Sequence, residues 1–304
     1  MSHGHGPRGT EGAHAGGRHR WRLAVAFGLV GAFFGVELVT GLVSGSLALL
    51  SDAGHMAADV VTLGAALVAT RIATRADTTG RRTFGSYRAE VFATGLAVLL
   101  MLGVAVYIVV EALGRIGSPA TVASGAMLVV GSIGLVVNVV SLLLLRGGSR
   151  ESLNVKGAYL EVVADTVGSI GVIAAALMVR ATGSTYWDTV VALAIAAFVA
   201  VRAVGLGGEV VAVLGQHAPS GMEPTAVLQA LGEVPGVTEV HDLHVWTLTS
   251  GMDVATAHLV TSRADAGPEV LEAASRMLRE RFHVAHATLQ IETTDRSRCQ
   301  GADW

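Results

Sequence analysis

His55 and Asp59 stand four residues apart in the apolar stretch Ser46 to Asp59, SLALLSDAGHMAAD, and Glu161 and Asp165 stand four apart in Gly157 to Ile173, GAYLEVVADTVGSIGVI. At about 100° per residue, positions four apart share one helix face, and Asp52, three before His55, falls in the same arc. Imidazole and carboxylate are ligands that a tetrahedral Zn²⁺ takes, so each pair offers two of four ligands and two facing helices could close a cage between them. The plainer reading of one such pair is a set of polar groups hydrogen-bonding between helices. A second matching pair weighs against it.

The surroundings sharpen the point. Of the 304 residues 52% are hydrophobic and only 15% charged, with mean hydropathy +0.57; ordinary globular chains carry about 25% charged residues. The composition is that of a membrane protein, in which an ionisable group at bilayer depth costs at least ~2.5 kcal/mol and marks a functional site by default. The net charge of −3 says little, because placement of charge matters more than its sum. A single cysteine, Cys299, excludes an intrachain disulfide and a cysteine-rich metal module. Met1 to Arg20 has no apolar core and is not a secretory signal.

Six apolar stretches, about 21–43, 47–70, 89–111, 122–145, 153–179 and 186–213, are each long enough for a spanning helix. Arg202 interrupts the last, whose final turns are expected to leave the bilayer. Arg8, Arg18, Arg20 and Arg22 precede the first helix, Arg71, Arg75, Arg81, Arg82 and Arg88 lie between the second and third, and Arg146, Arg150 and Lys156 between the fourth and fifth. The alternate connections hold only Arg115 and Arg180, so both termini are expected in the cytoplasm. Closely spaced glycines such as Gly131 and Gly134, or Gly168 and Gly171, predict tight helix contacts. Glu37 and Asn138, lacking partners four residues away, read as interhelical hydrogen bonds rather than ligands.

The flanks differ. Residues 1–20, with His3, His5, His14 and His19, are expected to form a disordered cytosolic tail, either merely solvated or collecting metal weakly. The helical domain is expected over 21–213 and a small α+β domain over 219–304, in the order α-β-β-α-β: a helix at 223–232, strands in VTEVHDLHVWTLT and DVATAHLV, a helix at 268–282 and a last strand in HATLQIE. His241, His244, His258, His283, His286 and Glu292 are unusually dense there and suggest a second, peripheral metal site.

Together SGSLALLSDAGHMAAD, TFGSYRAE, NVKGAYLEVVADTVGSIGV, VHDLHVWTLTSG, AHLV and HATLQIE resemble the cation diffusion facilitators, and most closely the bacterial cobalt-zinc-cadmium resistance exporters. The resemblance covers nearly the whole chain and implies a six-helix transmembrane bundle followed by a metallochaperone-like cytosolic domain. It implies a homodimer in the plasma membrane of a bacterium that exports divalent metal from the cytoplasm by alternating access, in exchange for protons and in some members potassium. Its transport-site ligands would be His55, Asp59, Glu161 and Asp165, and its cytosolic metal positions His241, His258, His286 and Glu292. Zinc-selective relatives usually carry His at the position of Glu161; with a carboxylate there, Co²⁺ and Cd²⁺ are expected to pass beside Zn²⁺. No prosthetic group, no catalytic residue and no nucleic-acid partner are expected.

Three rivals frame this reading. An intramembrane zinc-dependent hydrolase needs an open coordination position and a general base, and there is no HExxH motif. A channel would conduct without counter-transport. A pure sensor leaves the intramembrane acids without a purpose.

Charge at the cage bears on energy coupling independently of the resemblance. With a neutral His55 and three ionised acids the empty cage carries −3, which a divalent ion brings to −1. Metal ligands must be deprotonated, so loading is expected to release protons, and a site that opens alternately to each side then performs antiport. Asp52 is expected either to orient the His55 imidazole or to relay the proton.

Overall fold

A computed structural model describes residues 13–73, 83–115, 121–147, 153–249, 251–262 and 267–293. His3, His5, Arg8, Arg75, Arg81, Arg82, Arg150 and Cys299 lie outside the described residues.

Six long helices come first: α1 Ala13–Ser44, α2 Leu47–Ala73, α3 Ala89–Gly114, α4 Ser124–Leu145, α5 Leu153–Thr182 and α6 Tyr186–Leu214. Helix α1 begins at Ala13, inside the stretch expected to be disordered, because extending an existing helix adds a backbone hydrogen bond per residue without a new nucleation cost. Among the described residues, α1, α3, α4, α5 and α6 each contain a segment long and apolar enough to cross a bilayer; α2 carries Asp52, His55 and Asp59 within its apolar stretch. Outward apolar side chains such as Val39, Leu42, Val43, Leu99 and Val201 are exposed, as lipid-facing positions must be.

The chain divides into two compact units, residues 1–63 with 96–204 and residues 64–95 with 205–304. In the first, α4 packs on α5 and α1. Glycines make these approaches possible: a Cβ at Gly134 would lie 2.5 Å from the Phe33 ring of α1, and one at Gly54 of α2 would lie 2.2 Å from Val104 of α3. Asn138 of α4 donates a buried 3.2 Å hydrogen bond to the Ser169 hydroxyl of α5.

In the second unit, α7 Pro224–Gly232, β1 Val237–Thr249, β2 Met252–Thr261, α8 Gly267–Phe282 and β3 His286–Thr293 form a small sandwich. The sheet order is β1-β2-β3, with β1 antiparallel and β3 parallel to the central β2. Gly251, at φ 73°, supplies the left-handed residue that the β1–β2 turn needs. Helix α8 buries Val270, Ala274 and Leu278 at four-residue spacing. Its first-turn Glu269 and last-turn Arg279 and Arg281 complement the helix dipole. One sheet face, with Val245, Ala255, Ala257, Leu259, Leu289 and Ile291, packs into the core with α7 and α8.

Candidate metal centres

Helix α2 is held in place by α6. Ser46 is its N-cap: the Ser46 Oγ accepts from the Leu49 N–H at 3.1 Å and donates to Asp188 Oδ1 at 2.7 Å. The Asp188 carboxylate, from the first turn of α6, also accepts the N–H groups of Leu47 at 2.9 Å and Ala48 at 3.2 Å. The first N–H groups of α2 are thus satisfied, and a negative charge meets the positive end of its dipole. Arg115 lies 3.5 Å from Asp188 and donates to the Gly45 carbonyl at 2.9 Å. Sequence reasoning missed Asp188; its only signal was an acid at the start of an otherwise apolar helix.

Two turns into α2, His55 faces α5. Its Nε2 lies 3.5 Å from Asp165 Oδ1 and 3.7 Å from Asp59 Oδ2. Ligand atoms of His55, Asp59 and Asp165 fall within 4.8 Å of one another, and His55 and Asp165 are buried. Three such groups so close together could hold a metal ion. Glu161, one turn from Asp165, points instead to the guanidinium of Arg202 on α6, with which it forms a close ion pair. Arg202 also stands 3.6 Å from Asp59 and donates to His55 Nε2 at 3.2 Å. Arginine has no acceptor, so Nε2 offers its lone pair and the proton of the neutral ring sits on Nδ1. Sequence reasoning read Arg202 only as an interruption of the last apolar stretch; its fork reaches into this cluster, because α6 presents Phe198 and Arg202, four residues apart, toward His55.

Asp52 is buried on the same face of α2, but the orienting bond to His55 is not formed: His55 Nδ1 has no hydrogen-bond partner among the described residues. The Asp52 carboxylate lies against α5, where a Cβ at Gly168 would come within 2.4 Å of Oδ1. Glu37, expected to make an interhelical hydrogen bond, is buried on α1 close enough to Asp52 for their charges to interact.

A second cluster sits on the open face of the sheet. His241 of β1 and His258 of β2 are direct cross-strand partners, their rings 5.2 Å apart. His241 Nε2 lies 3.3 Å and His258 Nδ1 3.1 Å from the carboxylate of Glu292 on β3. A strand irregularity between His241 and His244 makes this possible. In a regular strand His241 would share a face with Val245, whereas here His241 pairs with His258 and Val245 with Ala255, on opposite faces. Asp242 at this bulge adopts φ 53° and stands 3.0 Å from His244 and 3.6 Å from His258, a carboxylate that sequence reasoning missed.

His286 is not part of this group. It begins the strand that Glu292 nearly ends, six residues away, which at about 3.3 Å per residue separates them by roughly 20 Å. Its ring meets Phe84 edge-on, with centroids 5.6 Å apart. Of the expected set His241, His258, His286 and Glu292, this chain brings His241, His258 and Glu292 together, and His286 stands apart from them. His283, at φ 58°, lies in the connection between α8 and β3.

Residues 23–214 match the model of the cation efflux transmembrane domain, and residues 219–294 match that of the cation efflux protein cytoplasmic domain. The chain is 42% identical to the metal cation efflux system protein CzcD of Cupriavidus metallidurans, over 95% of this chain and 90% of that protein. It is 35% identical to the zinc transporter ZitB of Escherichia coli, over 93% and 89% respectively. Against the cadmium, cobalt and zinc/H⁺-K⁺ antiporter of Bacillus subtilis it is 31% identical, over 92% of this chain and 91% of that protein. The family sets aside the hydrolase alternative: this is a transporter, not an enzyme. Six membrane helices and an α-β-β-α-β cytosolic domain, matched by both family models along nearly the whole chain, make this multi-pass membrane protein a member of the cation diffusion facilitator family of cation efflux proteins.

Proposed function

We propose that the chain exports Zn²⁺, together with Co²⁺ and Cd²⁺, from the cytoplasm, loading it at His55, Asp59, Glu161 and Asp165. The observation that carries this is the convergence of His55, Asp59 and Asp165 within 4.8 Å across two apolar helices, with Glu161 one turn away on the face of Asp165. One imidazole and three carboxylates form a harder donor set than two imidazoles would, which favours a broad choice of divalent ions. The name of the Bacillus relative, which gives cadmium, cobalt and zinc, and that of ZitB, which gives zinc, support these metals.

Protons are the counter-ion, because a cage of three acids binds metal only as it gives up protons. Potassium is a second candidate, supported by the name of the Bacillus antiporter. Asp52, with Glu37 beside it and no bond to His55, fits a proton relay better than an orienting role. The working unit is a homodimer in a bacterial plasma membrane; its termini lie in the cytoplasm, an orientation that the placement of arginines supports. His241, His258 and Glu292 form a cytosolic metal site, and the histidines of the N-terminal tail collect metal weakly for the pore.

Zn²⁺ uptake by inverted vesicles, acid inside, tests the coupling. Accumulation should collapse when a protonophore removes the gradient in the absence of potassium. Equally fast and equally concentrative uptake after collapse rules proton coupling out.

A further inference from the structure

The cage is not empty of positive charge: Arg202 of α6 is already there. Its Nη1 donates to His55 Nε2 at 3.2 Å, and its Nη2 pairs with Glu161 and stands 3.6 Å from Asp59 Oδ1. One planar fork thereby touches three of the four groups assigned to metal, one from imidazole and two from carboxylates, a fit that a point charge such as lysine lacks.

We propose that Arg202 is the resident counter-ion of the transport site, occupying it when metal is absent and competing with the incoming divalent ion for the same ligand atoms. This deepens the proposed function and rests on its assignment of the transport ligands.

The competition is specific at the level of orbitals. A metal ion needs the Nε2 lone pair of His55, and that lone pair is the one accepting from Arg202. It also needs the Glu161 oxygen that the guanidinium holds. Arginine cannot relieve the conflict by losing its proton, so the side chain must swing away or crowd the metal with a like charge. Its stem allows the first: Arg202 keeps 28% of its side-chain surface exposed, and a long arginine moves its head group while its root stays packed. Two consequences follow. The empty cage carries one negative charge fewer through the return step than its acids alone would give it. Arg202, returning to the same atoms, also helps to eject the metal on the far side.

The test is Zn²⁺ transport by the full-length protein in liposomes, in mildly alkaline buffer, separating the half-saturating concentration from the maximal rate. Arg202→Gln removes the competitor, so half-saturation should fall about tenfold while the maximal rate drops because release is slowed. Arg202→Lys keeps the charge but not the fork, and its half-saturation should lie between wild type and Arg202→Gln. If the glutamine variant does not insert, the lysine variant decides alone. Half-saturation at or above the wild-type value in the inserted variants overturns the proposal, since a merely structural arginine would lower the rate without tightening metal.

Asp165→Asn run in parallel keeps the two readings apart. Loss of saturable transport there, with no shift on changing Arg202, refutes the counter-ion alone. Wild-type saturation in Asp165→Asn refutes the transport site itself.

Discussion

Asp188 of α6 caps α2, accepting from the Ser46 hydroxyl at 2.7 Å and from the N–H groups of Leu47 and Ala48. The two helices that carry His55 and Arg202 are thereby tied at one end. Asp188 is fully buried, so its removal strands two N–H groups and the nearby Arg115 charge. Asp188→Ala should destabilise the protein by roughly 3 kcal/mol. A melting temperature in detergent equal to that of wild type would count against the cap as a structural anchor.

Asp59→Ala and Asp165→Ala should each abolish metal export and leave expression and membrane insertion intact, since Arg202 keeps Glu161 as its partner in both and no buried charge is left alone. Metal tolerance of cells carrying either variant is the measurement. Tolerance at the wild-type level would remove that residue from the transport site.

Glu161→His exchanges an oxygen donor for a nitrogen donor and should shift transport toward Zn²⁺ over harder ions. A panel of divalent ions in the liposome assay reads the preference. An unchanged ranking means that the ligand at Glu161 does not set selectivity.

Gly168→Ala places a methyl group 2.4 Å from Asp52 Oδ1, closer than atoms can approach. Either Asp52 or the α2–α5 spacing must give, at a cost of about 1–3 kcal/mol, and transport should fall more strongly than expression. Transport at the wild-type rate would show that the Asp52–Gly168 contact has no bearing on the cage.

His258→Ala should remove one metal ion per chain from the cytosolic domain, whereas His286→Ala should leave the stoichiometry unchanged. Metal content of the purified full-length variants, measured after removal of weakly held ions, separates them. Loss of metal in His286→Ala would return that histidine to the site, supplied from another strand end or another subunit.

The six helices, the α-β-β-α-β order of the second domain and the two (i, i+4) pairs of ionisable residues, from which His55, Asp59 and Asp165 converge, were legible in the amino-acid sequence. They rest on one-dimensional signals: apolar runs longer than about 20 residues, alternation along strands, and four-residue spacing of acids and imidazole on a helix. Helix α1 ran past its expected start because propagation is cheap once a helix exists. What the sequence could not determine is which side chains from distant segments meet. Arg202 read only as a charge interrupting the last apolar stretch, and its contacts with His55, Asp59 and Glu161 come from other helices. His286 was expected as a ligand from the resemblance, but extended backbone carries it roughly 20 Å from Glu292 within one chain. His241 joined its site only because an irregularity at Asp242 reverses the face of the strand. Periodicity assigns a residue to a face, whereas bulges, caps and long flexible side chains decide what that face touches, and these depend on partners far away in sequence.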